Sequence, residues 1–212
     1  MKIEIYSDVL CPWCYIGKRR IAKALEGFAH RDAVEVVWRS FQLAPEADGV
    51  PGPTAAEAME QWTDPAAVPA RVALIRSNGE QEGVELNLHK SRPVSTFDAH
   101  RLIHLAAARG RVDQVLEGLF HAYHTDALNV ADPDVLSGIA TAAGLDADEV
   151  GALLAGEAYA DQVTADERRA RAAGVGGVPS VVIDGRPPVS GVQDPAVLTA
   201  AFEAAWAQRA GA

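Results

Sequence analysis

Cysteine is scarce in this chain: two of its 212 residues are cysteines, at positions 11 and 14. A chain of this length can bury a hydrophobic core without covalent cross-links, so the pair is not needed for stability. Random placement would put two cysteines three positions apart in roughly one sequence in a hundred. The spacing of Cys11 and Cys14 therefore indicates chemistry that requires it.

A long uninterrupted apolar run is also missing. The longest apolar stretch, AAGVGGVPSVVI, is broken by glycines and by Pro179, whereas a membrane span needs about 20 consecutive apolar residues. At the N-terminus, Ile3 and Ile5 alternate with Lys2 and Glu4, a pattern typical of a half-buried strand and not of a signal peptide. We therefore expect a cytoplasmic protein, in which structural disulfides are rare.

Positive charge is not in excess. The chain holds 19 Lys and Arg against 29 Asp and Glu, which gives a net charge of −10. An acidic protein is repelled by phosphate backbones and by anionic lipid, so neither nucleic acid nor a membrane is expected as a partner. The apolar fraction of 49% is that of an ordinary globular protein.

The first fifty residues predict a β-α-β order. Residues 2–6 read as a strand, a helix follows from Cys11-Pro12 to about Phe28, and AVEVVWRSFQL is rich in β-branched and aromatic residues. Proline suits the first position of a helix, where its missing N–H would be unbonded anyway. In this context a CxxC motif favours a thioredoxin-like redox site.

The middle of the chain, residues 51–156, predicts helices. Ser95 and Asp98 predict a capping box at one helix start, and Asp132-Pro133 predicts a second start. The segment VELNL is compatible with a strand or a loop. We assign this region to an inserted helical domain.

Strand patterns return near the end of the chain. After a helix at about 157–173, SVVIDG predicts a strand that ends in an Asp184-Gly185 turn, and RPPVSG offers it a short partner. Asp194-Pro195 then predicts the start of a closing helix.

The predicted fold class is therefore α/β, a thioredoxin fold with a helical domain inserted between its β-α-β and β-β-α halves. The N-terminal half covers residues 1–50, the insert covers 51–156, and the C-terminal half covers 157–212.

The chain resembles the DsbA-like thioredoxin superfamily, and more closely its cytoplasmic FrnE-type branch, which is related to the 2-hydroxychromene-2-carboxylate isomerases. The resemblance spans essentially the whole chain and is carried by the segments SDVLCPWCYIGKRR, VVWRSFQLAP, DAHRLIHLA, GVPSVVIDG and SGVQDPAVL. It implies a thiol-disulfide oxidoreductase or isomerase acting on protein, peptide or low-molecular-weight thiols. It also implies that Pro179 is a cis-proline facing the CxxC, with the backbone of Val178 exposed to an extended peptide substrate.

Two departures limit what the resemblance implies. Trp13 stands where the best-known members have His, so a strongly oxidising potential does not carry over. Because the chain has no further cysteine, an internal relay through a second pair is excluded.

The CPWC motif assigns different roles to its cysteines. Cys11 lies at the predicted helix N-terminus, where unpaired N–H groups and the helix dipole favour a thiolate. Cys14 lies one turn later, close enough to resolve a mixed disulfide formed on Cys11. We expect Cys11, Cys14 and Pro179 to act in catalysis.

Substrate contact is expected from the residues that flank the catalytic positions, namely Pro12, Trp13 and Val178. Trp13 either shields the sulfurs or offers apolar surface to a substrate. Lys18, Arg19 and Arg20 follow within two turns and are expected to be solvated surface charges.

Metal binding is the main alternative for the cysteines and histidines. A zinc site needs two ligands beyond the cysteines, and His100 with His104, or His121 with His124, have helical spacing. Such pairs are more often surface or packing residues, so we expect no metal, and a packing or domain-docking role for His100.

Three functional classes stay open at this point. The leading one is thiol-disulfide exchange without a resident cofactor, with glutathione or another low-molecular-weight thiol as a co-substrate. A glutathione-dependent small-molecule isomerase or transferase is the rival enzyme, and Cys14 discriminates against it because such enzymes generally use one nucleophile. The third is a redox-regulated binding module or chaperone.

Overall fold

The computed structural model describes residues 1–209, and its centre is a four-stranded sheet with the order β2-β1-β3-β4. The strands are β1 (Lys2–Ser7), β2 (Glu35–Ser40), β3 (Ser180–Ile183) and β4 (Val189–Ser190). β1 runs parallel to β2 and antiparallel to β3, and β3 pairs with β4 in antiparallel fashion. A parallel pair requires a crossover, which the first helix provides.

That crossover is α1 (Pro12–Glu26), which begins with Pro12 at its first turn and ends at Gly27. Ile21 and Phe28 from this region pack with Ile3, Ile5 and Phe202 in one buried cluster. The alternation of Ile3 and Ile5 along β1 therefore places one face of the sheet against α1 and the closing helix.

Eight further α-helices follow within residues 1–209. They are α2 (Ala55–Ala58), α3 (Val68–Gln81), α4 (Phe97–Ala108), α5 (Val112–His124), α6 (Pro133–Ala142), α7 (Ala147–Ala155), α8 (Ala160–Ala172) and α9 (Pro195–Arg209). None of the helices within residues 1–209 is both long and apolar enough to cross a membrane. The α/β fold class with helices between its two halves is confirmed. The last three residues of the predicted C-terminal half, 210–212, lie outside the described part.

One local prediction for the helical region is wrong, and one alternative that was left open is decided. α4 begins after Thr96, and Ser95 makes no capping box; its hydroxyl accepts a hydrogen bond from the Phe97 N–H at 3.4 Å. The alternating segment VELNL forms no strand. Its alternate residues are buried against neighbouring helices, and the Asn87 N–H bonds the carbonyl of His124 at 2.7 Å.

A capping box does occur at the start of α2, where the sequence analysis placed none. The Thr54 hydroxyl accepts from the Glu57 N–H, and the Glu57 carboxylate accepts from the Thr54 N–H at 2.7 Å. This reciprocal pair satisfies two backbone groups that a helix start otherwise leaves unbonded.

Candidate active site

Cys11 is the N-cap residue of α1, with the extended backbone that helix entry requires (φ −85°, ψ 111°). Its N–H donates to the carbonyl of Asp8 at 3.2 Å, and its own carbonyl accepts from the N–H of Cys14 at 2.9 Å. The Cys11 thiol therefore lies where the free N–H groups and the dipole of α1 favour negative charge.

Cys14 lies one turn further along α1 and is the more deeply buried of two free thiols, with 1% of its surface exposed against 5% for Cys11. Burial raises the pKa of Cys14 well above its ordinary value, and the neighbouring Cys11 side chain raises it further. The Ser7 hydroxyl and the backbone N–H of Asp8 favour the Cys14 thiolate and oppose this shift. Cys14 is therefore a protonated thiol at neutral pH.

The loop before β3 lies against the cysteine pair. The Val178-Pro179 peptide bond is cis, as the resemblance implied, and the Cys11 thiol donates to the carbonyl of Val178 at 3.5 Å. The loop is held by close packing, because a Cβ on Gly17 would lie 2.9 Å from the ring of Pro179 and one on Gly191 would lie 3.1 Å from it. Gly17 is thus required for the approach of Pro179 to α1, and Gly191 packs tightly against the same proline.

Three residues of the motif, Cys11, Pro12 and Trp13, line a cavity of about 440 Å³ that reaches to α2 and α3. Cys14 and Val178 are not part of its lining. Trp13 is half-buried and packs against the core of the helical region. Cys11 therefore borders a cavity, whereas Cys14 is enclosed by the protein.

A polar cluster, which we call the Asp8 cluster, lies beneath the motif. It comprises the buried side chains of Ser7, Asp8, Ser91, His100, Tyr123 and His124. Each has a side-chain polar atom without a hydrogen bond of good geometry, and within residues 1–209 no other buried side chain does. Asp8 Oδ2 accepts from the Leu43 N–H at 2.7 Å, while His100 Nε2 lies 3.3 Å from Asp8 Oδ1.

The four histidines considered as metal ligands occupy separate environments. His100 contacts Asp8, His104 Nε2 lies 3.2 Å from Asp166 Oδ2, and exposed His121 pairs with Asp126 at 3.1 Å. His124 is 1% exposed, and burial lowers its pKa to about 3 against the opposing effect of the Val9 and Cys11 carbonyls and Asp8. Within residues 1–209 no three His, Cys, Asp or Glu side chains are grouped to hold a metal.

The basic residues after the motif are not the solvated charges that we expected. Lys18 is 6% exposed and bonds Asp113 at 2.8 Å and Glu117 at 3.0 Å, and Arg19 also bonds Glu117. Burial would raise the pKa of Glu117, but the Tyr15 hydroxyl and these two cations hold it below its usual value.

The next turn of α1 is paired in the same way. Arg20 bonds Glu82 at 2.9 Å and Lys23 bonds the same carboxylate at 2.6 Å. The cations of α1 therefore attach it to α3 and α5, and their charge is neutralised by carboxylates and not directed at Cys11.

Sequence reasoning missed Asp8, the central residue of the Asp8 cluster. A signal for it existed, since an acidic residue at the end of a buried strand and three positions before a CxxC motif is unusual for a surface charge. Its partners come from three other segments of the chain and have no common sequence signal.

Comparison with known proteins places this geometry in a family. The model of the DSBA-like thioredoxin domain matches residues 2–203. A probable DsbA oxidoreductase from Streptomyces coelicolor is 41% identical, with a TM-score of 0.91 over 98% of this chain and 90% of that chain.

Two more distant structures share the fold. A 2-hydroxychromene-2-carboxylate isomerase is 14% identical, with a TM-score of 0.74 over 100% of this chain and 98% of its own. The cytosolic disulfide reductase DsbM from Pseudomonas aeruginosa, solved with GSH, is 15% identical, with a TM-score of 0.66 over 96% and 98% of the two chains.

Proposed function

This chain belongs to the DSBA-like thioredoxin domain family, and from that premise we propose that it exchanges disulfides with protein, peptide or low-molecular-weight thiols through Cys11 and Cys14. The family match and the 41% identical structure indicate that it is a DsbA-like oxidoreductase. The finer assignment, with Cys11 as nucleophile and Cys14 as resolving thiol, rests on one observation: Cys11 faces an open cavity at a helix N-terminus, whereas Cys14 is enclosed behind it.

The exchange runs in two steps that balance without a cofactor. The Cys11 thiolate attacks one sulfur of a disulfide R–S–S–R′, so that a Cys11–S–S–R bond forms and R′S⁻ leaves and takes up a proton. Cys14 then loses its proton and attacks the Cys11 sulfur, which releases RS⁻. The enzyme gives up two electrons and the substrate becomes two thiols; two molecules of a thiol such as glutathione return the enzyme to the dithiol form by the reverse steps.

The loop at Val178-Pro179 serves the peptide substrate in this proposal. The carbonyl of Val178 lies beside the Cys11 sulfur, at the sheet end where an extended peptide would pair its backbone as an added strand.

We also place the reaction in the cytoplasm, an assignment supported by the fold shared with a cytosolic disulfide reductase.

Trapping of the mixed disulfide tests the mechanism. Cys14→Ser should accumulate a covalent adduct with glutathione disulfide or with cell-extract proteins, visible by non-reducing mass spectrometry, and should lose multiple-turnover insulin reduction. Cys11→Ser is the matched control and should trap no adduct at this site. Full insulin-reducing turnover by Cys14→Ser without an adduct would contradict the two-cysteine mechanism.

A glutathione-dependent isomerase is the second candidate, because the isomerase fold matches this chain from end to end, helical region included. It makes the opposite forecast for the same variant. An enzyme with a single nucleophile should keep its steady-state rate towards a small-molecule substrate when Cys14 becomes Ser.

A further inference from the structure

The cavity beside Cys11 has a composition that defines a substrate class. We propose that it binds organic disulfides and thiols that carry an aromatic or bulky apolar group together with a carboxylate or another anion. This inference rests on the proposed disulfide exchange and adds a binding site to it. The cavity volume of about 440 Å³ lies within the roughly 300–1,000 Å³ that small-molecule sites occupy.

Apolar side chains form most of the cavity wall. They come from the motif, from the segment after β2 and from α2 and α3, and include Leu10, Trp13, Leu43, Met59, Trp62 and Ile75. Trp62 is 60% exposed and Leu43 49% exposed, so hydrocarbon and indole surface faces water beside the reactive thiol. An apolar or aromatic group in the cavity would remove this surface from water.

One positive charge supplies the polar part of the recognition. Arg71 of α3 is the only charged residue in the lining, since His124 is held neutral by burial. The Arg71 guanidinium lies 4.7 Å from the ring centroid of Trp62, and within residues 1–209 it makes no ion pair. A guanidinium over an indole, with no competing carboxylate, binds an anion and favours an aromatic neighbour.

A second cavity provides the contrast. It has a volume of about 540 Å³ and lies between α5 and α6, and its lining includes Glu117, Asp126 and Asp134 but neither cysteine. In a protein with a net charge of −10, carboxylates are the common lining. Their absence around Arg71 therefore favours an anion at the cavity that also contains Cys11.

A bound disulfide of this class reacts by the balanced exchange given above. With its apolar group in the cavity and its anion near Arg71, one sulfur lies toward Cys11, and the thiolate displaces the other half as RS⁻. Cys14 then releases the retained half as a second thiolate. The cavity thus adds binding and orientation, and the two electrons still come from the cysteine pair.

Two aromatic disulfides that differ in charge test the proposal. Pre-reduced, desalted protein is mixed with dithiobis(nitrobenzoate), which is dianionic, or with dithiodipyridine, which is neutral, and thiol release is followed by stopped flow. Each second-order rate constant is divided by that of free glutathione with the same disulfide. In the wild type this normalised constant should be larger for the anionic disulfide.

Substitution of Arg71 should remove that preference. Arg71→Gln should lower the anionic-to-neutral ratio about tenfold, the effect of one charge-assisted hydrogen bond. Arg76→Gln, on the exposed face of the same helix, removes the same charge outside the cavity and should leave the ratio at its wild-type value. Ala58→Phe fills the cavity from α2 and should slow both reactions.

The outcomes separate the inference from the proposed function. If both disulfides react quickly but the ratio is the same in Arg71→Gln and Arg76→Gln, the binding-site inference is wrong and disulfide exchange stands. If Ala58→Phe folds and reacts at the wild-type rate, the cavity is not used. If neither disulfide oxidises the wild-type pair faster than it oxidises glutathione, both proposals fail.

Discussion

Two aspartates of this protein have no exposed surface, and each lies beside a histidine of α4, yet their surroundings differ. Asp166 accepts hydrogen bonds from Arg39 at 3.1 Å, Arg169 at 3.0 Å and the Ser40 N–H at 3.2 Å, with His104 also 3.2 Å away. Asp8 accepts one, from the Leu43 N–H, and the contact of its Oδ1 with His100 Nε2 at 3.3 Å lacks the geometry of a hydrogen bond.

The difference follows the position of each aspartate in the fold. The residues around Asp166, which we call the Asp166 cluster (Glu4, Arg39, Ser40, His104, Asp166 and Arg169), join β1, β2, α4 and α8. Burial would raise the pKa of Asp166, but its bonds to His104 and Ser40 and the charge of Arg39 hold it below the usual range. The polar side chains of the Asp166 cluster are therefore fully hydrogen-bonded, and they hold these four elements together.

The Asp8 cluster lies instead beneath the cysteine pair and keeps unused donors and acceptors. Buried polar groups without partners cost stability, and such groups are few in folded proteins. Here the six are linked to one another through Asp8 and Tyr123, and Ser7, Asp8 and His124 reach the cysteine pair. This fold therefore satisfies buried charge where it joins elements of the fold, and it leaves polar atoms without good hydrogen bonds beside the cysteine pair.

The largest expected effect is on stability at the Asp166 cluster. Asp166→Ala leaves the buried Ser40 N–H and His104 without their carboxylate, and Arg39 keeps only its bond to Glu4. It should lower the free energy of unfolding by about 3–5 kcal/mol. Urea denaturation measures it. Asp161→Ala, exposed on the same helix, should cost less than about 0.5 kcal/mol. If Asp166→Ala lowers the free energy of unfolding by less than about 1 kcal/mol, the hydrogen bonds of Asp166 are not what stabilises this cluster.

The second effect is the pH dependence contributed by His124. The unfolded chain protonates this imidazole below about pH 6.5, whereas burial lowers the pKa of folded His124 to about 3. Between these values the unfolded state binds more protons, so stability present above pH 6.5 is lost on acidification, by up to about 1.4 kcal/mol per pH unit.

The variant His124→Phe should flatten the dependence of unfolding free energy on pH between about 6.5 and 4. His121→Gln is the matched control, because His121 is exposed on the preceding turn of α5, and should retain the wild-type slope. Equal slopes in the two variants would show that burial does not hold His124 neutral.

The third effect is kinetic and concerns Asp8. In the proposed mechanism Cys14 loses a proton before it attacks. The backbone N–H of Asp8 faces the Cys14 sulfur, and Asp8 Oδ1 makes no hydrogen bond of good geometry. Asp8→Asn preserves the acceptor for the Leu43 N–H but cannot take up a proton. We expect thiol release from dithiobis(nitrobenzoate) to keep its first phase, attack by Cys11, and to slow at least about tenfold in its second, release by Cys14.

Asp166→Asn provides the comparison for Asp8→Asn. Once folded, it should keep both kinetic phases, because Asp166 does not contact the cysteine pair. If the two Asn variants slow the second phase equally, the effect belongs to general destabilisation and the distinction between the clusters fails.

Elements with local signals were predictable from the sequence. The alternation of β1, the Pro12 start of α1 and the Asp184-Gly185 turn each use interactions within a few residues, and the turn has the positive φ values, 48° and 74°, that these residues tolerate. The Ser95 capping box failed because α4 starts one residue later, after Thr96, so that Asp98 is the second helical residue and not the third.

The two clusters were not predictable for a different reason. Ser7 ends β1 and Asp8 follows it, Ser91 lies in a loop, His100 belongs to α4, and Tyr123 and His124 end α5. Only tertiary packing brings these segments together, so no spacing along the chain records their contact. The CPWC motif could be found because both of its thiols lie within one helical turn.

The smallest expected effect is the most direct test of the comparison, since it makes the same substitution in both clusters. Ser40 Oγ lies 3.2 Å from His104 Nε2 in the Asp166 cluster, so Ser40→Ala should lower the free energy of unfolding by about 1 kcal/mol, the net value of one hydrogen bond. Ser91 Oγ is buried beside the Tyr123 hydroxyl but makes no hydrogen bond of good geometry. Ser91→Ala should therefore be neutral or slightly stabilising, because it removes a hydroxyl whose desolvation is not compensated. Both are measured by urea denaturation at pH 7. A cost of about 1 kcal/mol for Ser91→Ala would mean that its hydroxyl is bonded in solution, and the Asp8 cluster would then be as saturated as its counterpart.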